Sequence, residues 1–489
     1  MLKPEEMTVG RRNFLKAAAT LPAVGAYAVT AKIAEPVNVA WIGTGGQGRV
    51  LLDQVDNSFL KVQAVADIRP DFRELGANIV RQKNNADVRS YASYKKMLED
   101  GGFEAVVIAT PLSTHAPIAL DCMAAGKHVL TEKTMAYTTE DCTQMIDAAN
   151  KSGLVLAVGH QRHANPLYQA TKAMMEKEGE EGAKMGDVYH IRSLWHRNHS
   201  WRRNPGGEWK NEILKEKYGE YAIDGTAAMK GVTVDDIAKL SDQEQWEAYF
   251  AYLASKEPEF SENLNNPNLH APYENADMLG NWRLYKKISH GLMSELGSHQ
   301  IDVCNWFWGA EPLTVSGTGG IFHYKDGREV DDHVFVIFRY PNDKVMTFTS
   351  ITTNAFDNYY DQVMGTKMTV YLTGEAQAMM FQEGAAKTAE ISLTSASAGG
   401  SVSAATKSRS ADMAGGSAMG SGMGGDYDPF TAYREELNMF ATAIRKGDPS
   451  LVGCDGIGGR KAAIAVLKAN EAMEKGTVES CVIDQPVRA

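Results

Sequence analysis

The sequence predicts an α/β protein whose first domain, residues 36–160, is a doubly wound parallel sheet with helices on both faces. Three observations carry that prediction. A strand-like run, Val37-Asn38-Val39-Ala40-Trp41-Ile42, passes directly into the turn Gly43-Thr44-Gly45-Gly46-Gln47-Gly48 and then a helix-like segment from Arg49 to Val55. Short apolar runs then alternate with helix-like segments as far as residue 160. Glycines and Pro111 bound these runs, as expected of buried parallel strands.

The elements follow in order. Val62-Gln63-Ala64-Val65-Ala66 is the second strand and ends at Asp67. In the glycine turn, one glycine permits the tight bend, one lets backbone approach a pyrophosphate, and one allows close helix–strand packing. Asp67 follows Gly43 by 24 residues, near the spacing of a carboxylate that accepts from a ribose 2′-hydroxyl. An anion there repels a 2′-phosphate and favours NAD over NADP, with Arg69 the one neighbour able to hold such a phosphate. Ala105–Ala109 is a further strand; Thr110-Pro111 with His115 opens a helix that closes at Gly126. His128-Val129-Leu130 ends in Thr131-Glu132-Lys133, a helix spans Thr139 to Lys151, and Leu154–Val158 completes the alternation.

Composition narrows the rest. The chain has 489 residues, 44 % of them hydrophobic, which suits two or three domains. With 50 Lys+Arg against 61 Asp+Glu, the net charge of −11 leaves no cation excess for nucleic acid. Five cysteines without a C-x-x-C argue against a disulfide scaffold and zinc ribbons. No apolar run reaches the ~18 residues of a membrane span. Residues 1–31 read as an export signal: the basic stretch Gly10 to Lys16, then apolar residues Ala17 to Ala31, with small-x-small sites at Ala26-Tyr27-Ala28 and Val29-Thr30-Ala31. Arg11-Arg12 with Phe14-Leu15-Lys16 resembles a twin-arginine signal, so export by that translocase to the periplasm is expected.

A family resemblance rests on motifs in order: Gly43–Gly48, Asp67, Tyr91-Ala92-Ser93-Tyr94, Thr110 to His115, Ala125 to Val129, Glu132-Lys133, Val158 to Arg162 and Glu295 to Asp302. Together they resemble the Gfo/Idh/MocA family, which includes glucose–fructose oxidoreductase and inositol dehydrogenase. The resemblance implies an NAD-binding Rossmann domain at 36–160. It also implies a C-terminal α/β domain at 161–489, built on a large, mostly antiparallel open sheet, and a homo-oligomer. It implies hydride transfer as well, with Lys133 as the family lysine and His299 as the family histidine. Thr134 stands where the family has a proline; because a non-proline cis bond costs about 3–4 kcal/mol, a trans peptide is expected here. Glu295 stands in place of an aspartate.

Oxidising a secondary alcohol needs a base for the hydroxyl proton while hydride leaves. The expected assignment is His299 as base or substrate ligand, Lys133 as the group polarising the hydroxyl, and Glu295, four residues before His299, as its orienter. The dinucleotide is expected to touch Gly43, Thr44, Gly45, Gly46, Gln47, Gly48, Asp67, Arg69, Thr110, Pro111, His115, Glu132 and Lys133. In the strand Tyr189 to Arg197, His190, Arg192 and His196 share a face and are expected to meet a sugar or glycoside, with Trp201, Arg202 and Arg203 continuing the theme. Trp282, Arg283 and His290 are further substrate candidates. No metal is expected, because the strand histidines lack carboxylate or thiolate company.

Residues 200–280 read as an insert, either a lid or an oligomer contact, with helices at Asp235–Leu240 and Asp242–Ser255. Residues 395–425, with 23 Gly, Ser or Ala in 31, read as a flexible loop. Cys122 and Cys142 are expected as buried thiols, while Cys454 and Cys481 are left open as a pair. For function three readings stand: a redox-neutral or ping-pong sugar oxidoreductase acting at carbon 3 of a hexopyranoside, a glycosidase working through transient oxidation, and a non-catalytic sugar-binding protein.

Overall fold

Strand propensity and glycine bounds produce the first sheet as expected. Its strands are β1 (Val37–Ile42), β2 (Leu60–Ala66), β3 (Arg89–Tyr91), β4 (Ala105–Ile108), β5 (His128–Glu132) and β6 (Leu156–Gly159), all parallel, in the order β3-β2-β1-β4-β5-β6. Every residue of β4 and all but Asn38 of β1 are buried, because helices cover both faces. These helices are α1 (Gly46–Gln54), α2 (Pro70–Asn84), α3 (Tyr94–Asp100), α4 (His115–Ala124) and α5 (Thr139–Ser152). The strand order reverses between β1 and β4, so the loops leaving them diverge and open a crevice there.

This is a computed structural model, and it describes residues 33–84, 87–178, 182–205, 240–383, 387–394, 401–408 and 430–482. The export-signal reading of residues 1–31 and most of the helix read at Asp235–Leu240 lie outside the described residues. After α6 (Pro166–Met175) and a small hairpin, β7 (Lys177–Glu178) and β8 (Gly182–Ala183), comes β9 (Val188–His196), which belongs to the second sheet. That sheet has ten strands in the order β17-β16-β15-β14-β13-β9-β12-β11-β10-β18. They are β10 (Thr314–Gly320), β11 (His333–Arg339), β12 (Val345–Ile351), β13 (Tyr359–Gly365), β14 (Met368–Thr373), β15 (Gln377–Gln382), β16 (Lys387–Thr394), β17 (Ser401–Ser408) and β18 (Glu479–Ser480), with β9 in their midst. All neighbours are antiparallel except β9 and β12.

The helical stretches that complete the fold are α7 (Asp242–Lys256), α8 (Glu259–Asn263), α9 (Ala276–Gly280), α10 (Ser298–Trp308), α11 (Thr431–Lys446) and α12 (Gly456–Lys475). One face of the second sheet packs its alternate residues Val334, Val336, Phe338, Met346 and Phe348 against Ile301 and Phe307 of α10 and Ala465, Val466 and Ala469 of α12. The other face is open, with Phe335 43 % and Ile337 48 % exposed. Helix α11 returns to the first domain, where Leu437, Phe440 and Ala441 join Val37, Val39 and Trp41 in one core. Arg445 fixes that return by gripping both oxygens of Glu104 at 2.6 and 2.8 Å and the carbonyls of Glu35 and Pro36.

One expectation is corrected and one open question answered. Residues 401–408 are not loop, since their backbone pairs along its whole length with β16, while the rest of 395–425 lies outside the described residues. Cys454 and Cys481 do not pair; all five cysteines are free and buried. The described part of the insert is helical and lies on the first domain. Trp246, Tyr249, Phe250 and Leu253 share a core with Ile108 and Ala116, and Ser241 starts α7 with a full capping box.

Candidate active site

The crevice at the strand-order reversal continues into a cleft of about 650 Å³ that runs from the glycine turn to α10. Its dinucleotide end is built by the turn after β1. Gly43 has φ +90°, and a Cβ there would stand 2.5 Å from the Ala109 carbonyl oxygen, so only glycine fits. A Cβ on Gly48 would meet the Gly43 carbonyl oxygen at 2.1 Å. Gly45 caps α1 with no side chain, leaving the first-turn N–H groups free for a pyrophosphate, and nothing lies within 4 Å of a Cβ on Gly46. Among the expected contacts, Gly43, Gly45, Gly46, Gln47, Asp67, Arg69, Thr110, Pro111, His115, Glu132 and Lys133 line the cleft, and Thr44 and Gly48 do not. Thr44 is fully buried and holds Asp67 instead: its N–H and hydroxyl donate to Asp67 Oδ2 at 2.7 and 3.1 Å. Gly48 keeps α1 close to the turn. Gly48→Ala is expected to push α1 off the turn, to cost about 1–3 kcal/mol and to yield protein purified without nucleotide, as nucleotide release and absorbance would show.

Asp67 ends β2 with Oδ1 accepting from the Arg69 N–H at 2.9 Å. Burial pushes its carboxyl upward against these hydrogen bonds. The Arg69 guanidinium is not free for a 2′-phosphate. It bonds both oxygens of Asp71, at 3.1 and 2.5 Å, and lies 3.5 Å over the Phe72 ring. The insert closes over this end. Tyr249 donates to Asp71 at 2.7 Å, Arg73 pairs with Glu257, and Leu269, Ala271 and Tyr273 line the cleft.

At the other end, Glu132 and Lys133 follow β5. Gln47 donates to Glu132 Oε1 at 2.8 Å and the Lys133 N–H to Oε2 at 3.1 Å, while burial raises the Glu132 carboxyl. The Lys133–Thr134 peptide is cis, where a trans bond was expected. Thr134 is held on both sides, its hydroxyl donating to the Ser294 carbonyl at 3.1 Å and its carbonyl meeting His115 Nδ1 at 2.9 Å. His115 Nε2 meets the Thr110 carbonyl at 2.8 Å, so the imidazole ties together two loops bordering the cleft. Lys133 Nζ donates to the carbonyls of Glu295 at 2.9 Å and Ser294 at 3.3 Å. Burial lowers its pKa first; Glu295 and Glu132 oppose that, while Arg283 and Arg197 add to it.

Met293–Gly297 is a π-helical turn leading into α10. Among the described residues no hydrogen bond joins Glu295 to His299, whose Nδ1 has no partner. This corrects the expected role of Glu295 as orienter. Its Oε2 accepts from Arg283 Nε at 2.8 Å, and although burial pushes its carboxyl up, Arg283 and Lys133 outweigh this and hold it low. His299 is 7 % exposed, its Nδ1 has no hydrogen-bond partner, and its ring lies 5.5 Å from Trp195 and 6.5 Å edge-on from His160. Burial, followed by the cations Lys133 and Arg162, keeps this imidazole well below its ordinary value, so it is neutral near pH 7.

The substrate candidates separate by strand parity. His190, Arg192 and His196 do share a face, but it is the open one. His190 and His196 contact Thr347 and Thr349 of β12 at 3.4 and 3.1 Å, and none of the three lines the cleft. The opposite parity faces inward: Trp195, Arg197 and His199 line the cleft, followed by Trp201 and Arg203. Trp282 and Arg283 line it as expected. His290 does not; it stacks on Tyr137 at 4.1 Å and contacts the Tyr137 carbonyl at 2.8 Å, bracing the loop after Lys133. Tyr359, Glu375 and Tyr433 are lining residues that sequence reading missed. Among the described residues, His160, Asp302 and Cys454 have their donor atoms within 4.8 Å of one another. Asp302 also contacts His163 Nε2 at 2.8 Å and the Cys454 thiol at 3.7 Å, as a shared buried acceptor would.

A glycine turn with free helix N–H groups, a carboxylate at the end of β2, and a lysine and histidine on the same cleft are the parts that a dinucleotide-dependent oxidoreductase needs. Residues 37–160 match the oxidoreductase family GFO_IDH_MocA, NAD-binding Rossmann fold, and residues 268–373 match the GFO/IDH/MocA C-terminal domain. The chain is 31 % identical over 175 residues to an alpha-N-acetylgalactosaminidase of Shewanella oneidensis, a match covering 29 % of this chain and 38 % of that protein. It thus spans well under half the length of this relative. Its fold is similar to an inositol dehydrogenase homologue from Azotobacter vinelandii complexed with NADH and myo-inositol, with TM-score 0.60 and 15 % identity, covering 92 % of this chain and 99 % of that one. It is also similar to a UDP-N-acetylglucosamine 3-dehydrogenase from Acidithiobacillus ferrooxidans, with TM-score 0.54 and 17 % identity, covering 90 % and 98 %.

Proposed function

We propose that the protein is an exported, NAD-dependent oxidoreductase that oxidises and re-reduces a secondary hydroxyl of a sugar or glycoside, at carbon 3 of a hexopyranoside, on a cofactor it does not release. The observation that carries this reading is the meeting of Lys133 and His299 at the end of the cleft opposite the glycine turn. Bound NAD supplies a hydride acceptor. Lys133 Nζ, already held by two carbonyls, donates to the sugar hydroxyl and stabilises the alkoxide character that develops there. Neutral His299 accepts the hydroxyl proton, and in the return direction gives it back. Trp195 and Trp282 line the cleft and supply apolar surface beside a pyranose.

Retention of the cofactor is supported by the insert, which covers the Asp67 end of the groove through Tyr249–Asp71 and Arg73–Glu257. Outside the cytoplasm no pool of NAD replenishes the enzyme, so the reduced cofactor must be reoxidised by a second sugar or by the same intermediate. The exposed Phe335 and Ile337 on the open sheet face support self-association as part of this reading. Mass spectrometry of nucleotide released from protein purified without added cofactor tests it: NAD at near one per chain is expected, and protein free of nucleotide contradicts retention.

The pH profile of bound-nicotinamide reduction follows from the two shifted groups. His299 is active when neutral, and its pKa lies well below the ordinary value of 6.5, so the acid limb falls below pH 6.5. Lys133 is active when charged, and its pKa lies below 10.5, so the alkaline limb comes earlier than for an ordinary lysine. An acid limb at 6.5 contradicts the assignment of His299. The alpha-N-acetylgalactosaminidase relative favours a second reading, glycoside cleavage through transient oxidation at the same bound cofactor. Release of the aglycone from aryl glycosides with no net NADH supports that reading; a stable keto-glycoside product opposes it.

A further inference from the structure

We propose that the sugar this cleft receives carries an anionic substituent, a carboxylate or a phosphate ester, bound by Arg197 beside Arg283; the inference rests on the sugar-oxidoreductase reading and deepens it. The chain carries a net charge of −11, yet the catalytic end of its cleft is cationic. Lys133, Arg197 and Arg283 meet there, and Glu295 is the one carboxylate that answers them strongly enough to be held ionised. Glu132, which also faces Lys133, is pushed toward its neutral form by burial.

Arg197, like Arg203, differs from most of the deep arginines around it. Arg69 has Asp71, Arg73 has Glu257, Arg202 has Asp277, Arg283 has Glu295, and the fully buried Arg162 has both Asp361 and Glu375. Among the described residues, half-buried Arg197 has no carboxylate partner. Its backbone N–H is fixed by the Ile351 carbonyl at 2.8 Å, and its guanidinium lies 4.9 Å from the centre of the Trp195 ring, whose centre is in turn 5.5 Å from that of His299. The charge is therefore pinned one aromatic ring away from the expected base, with its fork of donors unspent. Burial and Arg283 are the two largest influences on it, and both disfavour its charge.

The dinucleotide does not relieve this. Its phosphates belong at the free N–H groups of α1, where Arg49 lies near Asp67 and Arg69, and Arg203 lies near Arg49 and Arg69 as well as Arg283. Its oxidised nicotinamide is itself cationic, and placing it beside Lys133 adds to the excess. A bidentate carboxylate or phosphate on the substrate supplies the missing charge and satisfies the guanidinium in geometry that neutral hydroxyls do not match. Both anion classes present the same oxygens, so the two are separated by experiment.

The test uses the full-length holoprotein with glucose, glucuronate and glucose 6-phosphate. Binding is measured by calorimetry, and reduction of the bound nicotinamide by its near-ultraviolet absorbance. One of the two anionic sugars is expected to bind about tenfold or more tightly than glucose, and which one identifies the anion class. Arg197→Gln is expected to remove that preference, and Arg197→Lys to keep part of it. Glucose binding as tightly as both anions, or Arg197→Gln weakening all three sugars equally, overturns the inference. Preferential binding of an anionic sugar without reduction leaves the inference standing and defeats the oxidoreductase reading; reduction by glucose alone does the reverse.

Discussion

Replacing His299 by glutamine lowers the rate at which a sugar reduces the bound nicotinamide by about 10²–10⁴-fold, with nucleotide content unchanged. The size follows from what the imidazole does. Its Nδ1 has no partner, its ring is 7 % exposed and lines the cleft, and burial with neighbouring cations keeps it unprotonated near neutral pH. Glutamine preserves volume and polarity but cannot take a proton, so the loss falls on proton transfer rather than on folding. The glycine turn and Asp67 at the other end are untouched, which is why the nucleotide stays. Rapid-mixing absorbance on wild type and variant reads the effect. A loss of less than about tenfold, below the range of general-base catalysis, removes His299 from the chemistry and leaves Lys133 as the remaining candidate.

Replacing Arg162 by methionine destabilises the protein by about 3–5 kcal/mol. Arg162 is 1 % exposed and reaches Asp361 at 3.0 Å and Glu375 at 2.9 Å. Tyr168 and Ser193 donate to Asp361 at 2.9 and 2.6 Å, and Gln161 to Glu375 at 3.3 Å. This knot joins the turn after β6 to β9, β13 and the turn before β15, and so holds the first domain to the second sheet. Without the guanidinium two buried carboxylates face each other unneutralised, which costs far more than the lost hydrogen bonds alone. Because Glu375 lines the cleft, slower sugar reduction accompanies the loss of stability. Denaturant midpoints of wild type, Arg162→Met and Arg162→Lys check it, with lysine expected between the other two. A methionine variant as stable as wild type contradicts the claim that the Arg162 guanidinium holds these two carboxylates together.

Much of this was legible in the residues. The glycine turn, Asp67 and the strand–helix alternation are local: each depends on neighbours within a few positions, and each came out where read. The substrate strand shows the limit. A period of two groups His190, Arg192 and His196 on one face and Trp195 and Arg197 on the other. It does not say which face meets the first domain, because β9 lies inside a sheet whose two faces differ only through α10 and α12 packing on one of them. The partner of Glu295 was equally hidden, since Arg283 lies twelve residues earlier and no helical spacing links the two. Tyr359, Glu375 and Tyr433 reach the cleft from distant elements, and no spacing rule links them to Lys133. The insert kept both its readings open in sequence. Trp246, Tyr249 and Phe250 settle its described part onto the first domain, a contact between segments far apart in the chain.

The central question is whether the cofactor that the protein carries is the one that does the chemistry. Protein purified without added nucleotide is mixed with a panel of neutral and anionic hexopyranosides, and the absorbance of reduced nicotinamide is followed in a single turnover. Reduced nicotinamide is expected to appear at close to one equivalent per chain, and to disappear when a keto-sugar is added. No absorbance change with any sugar, or turnover that needs free NAD and stops when it is dialysed away, would contradict that expectation.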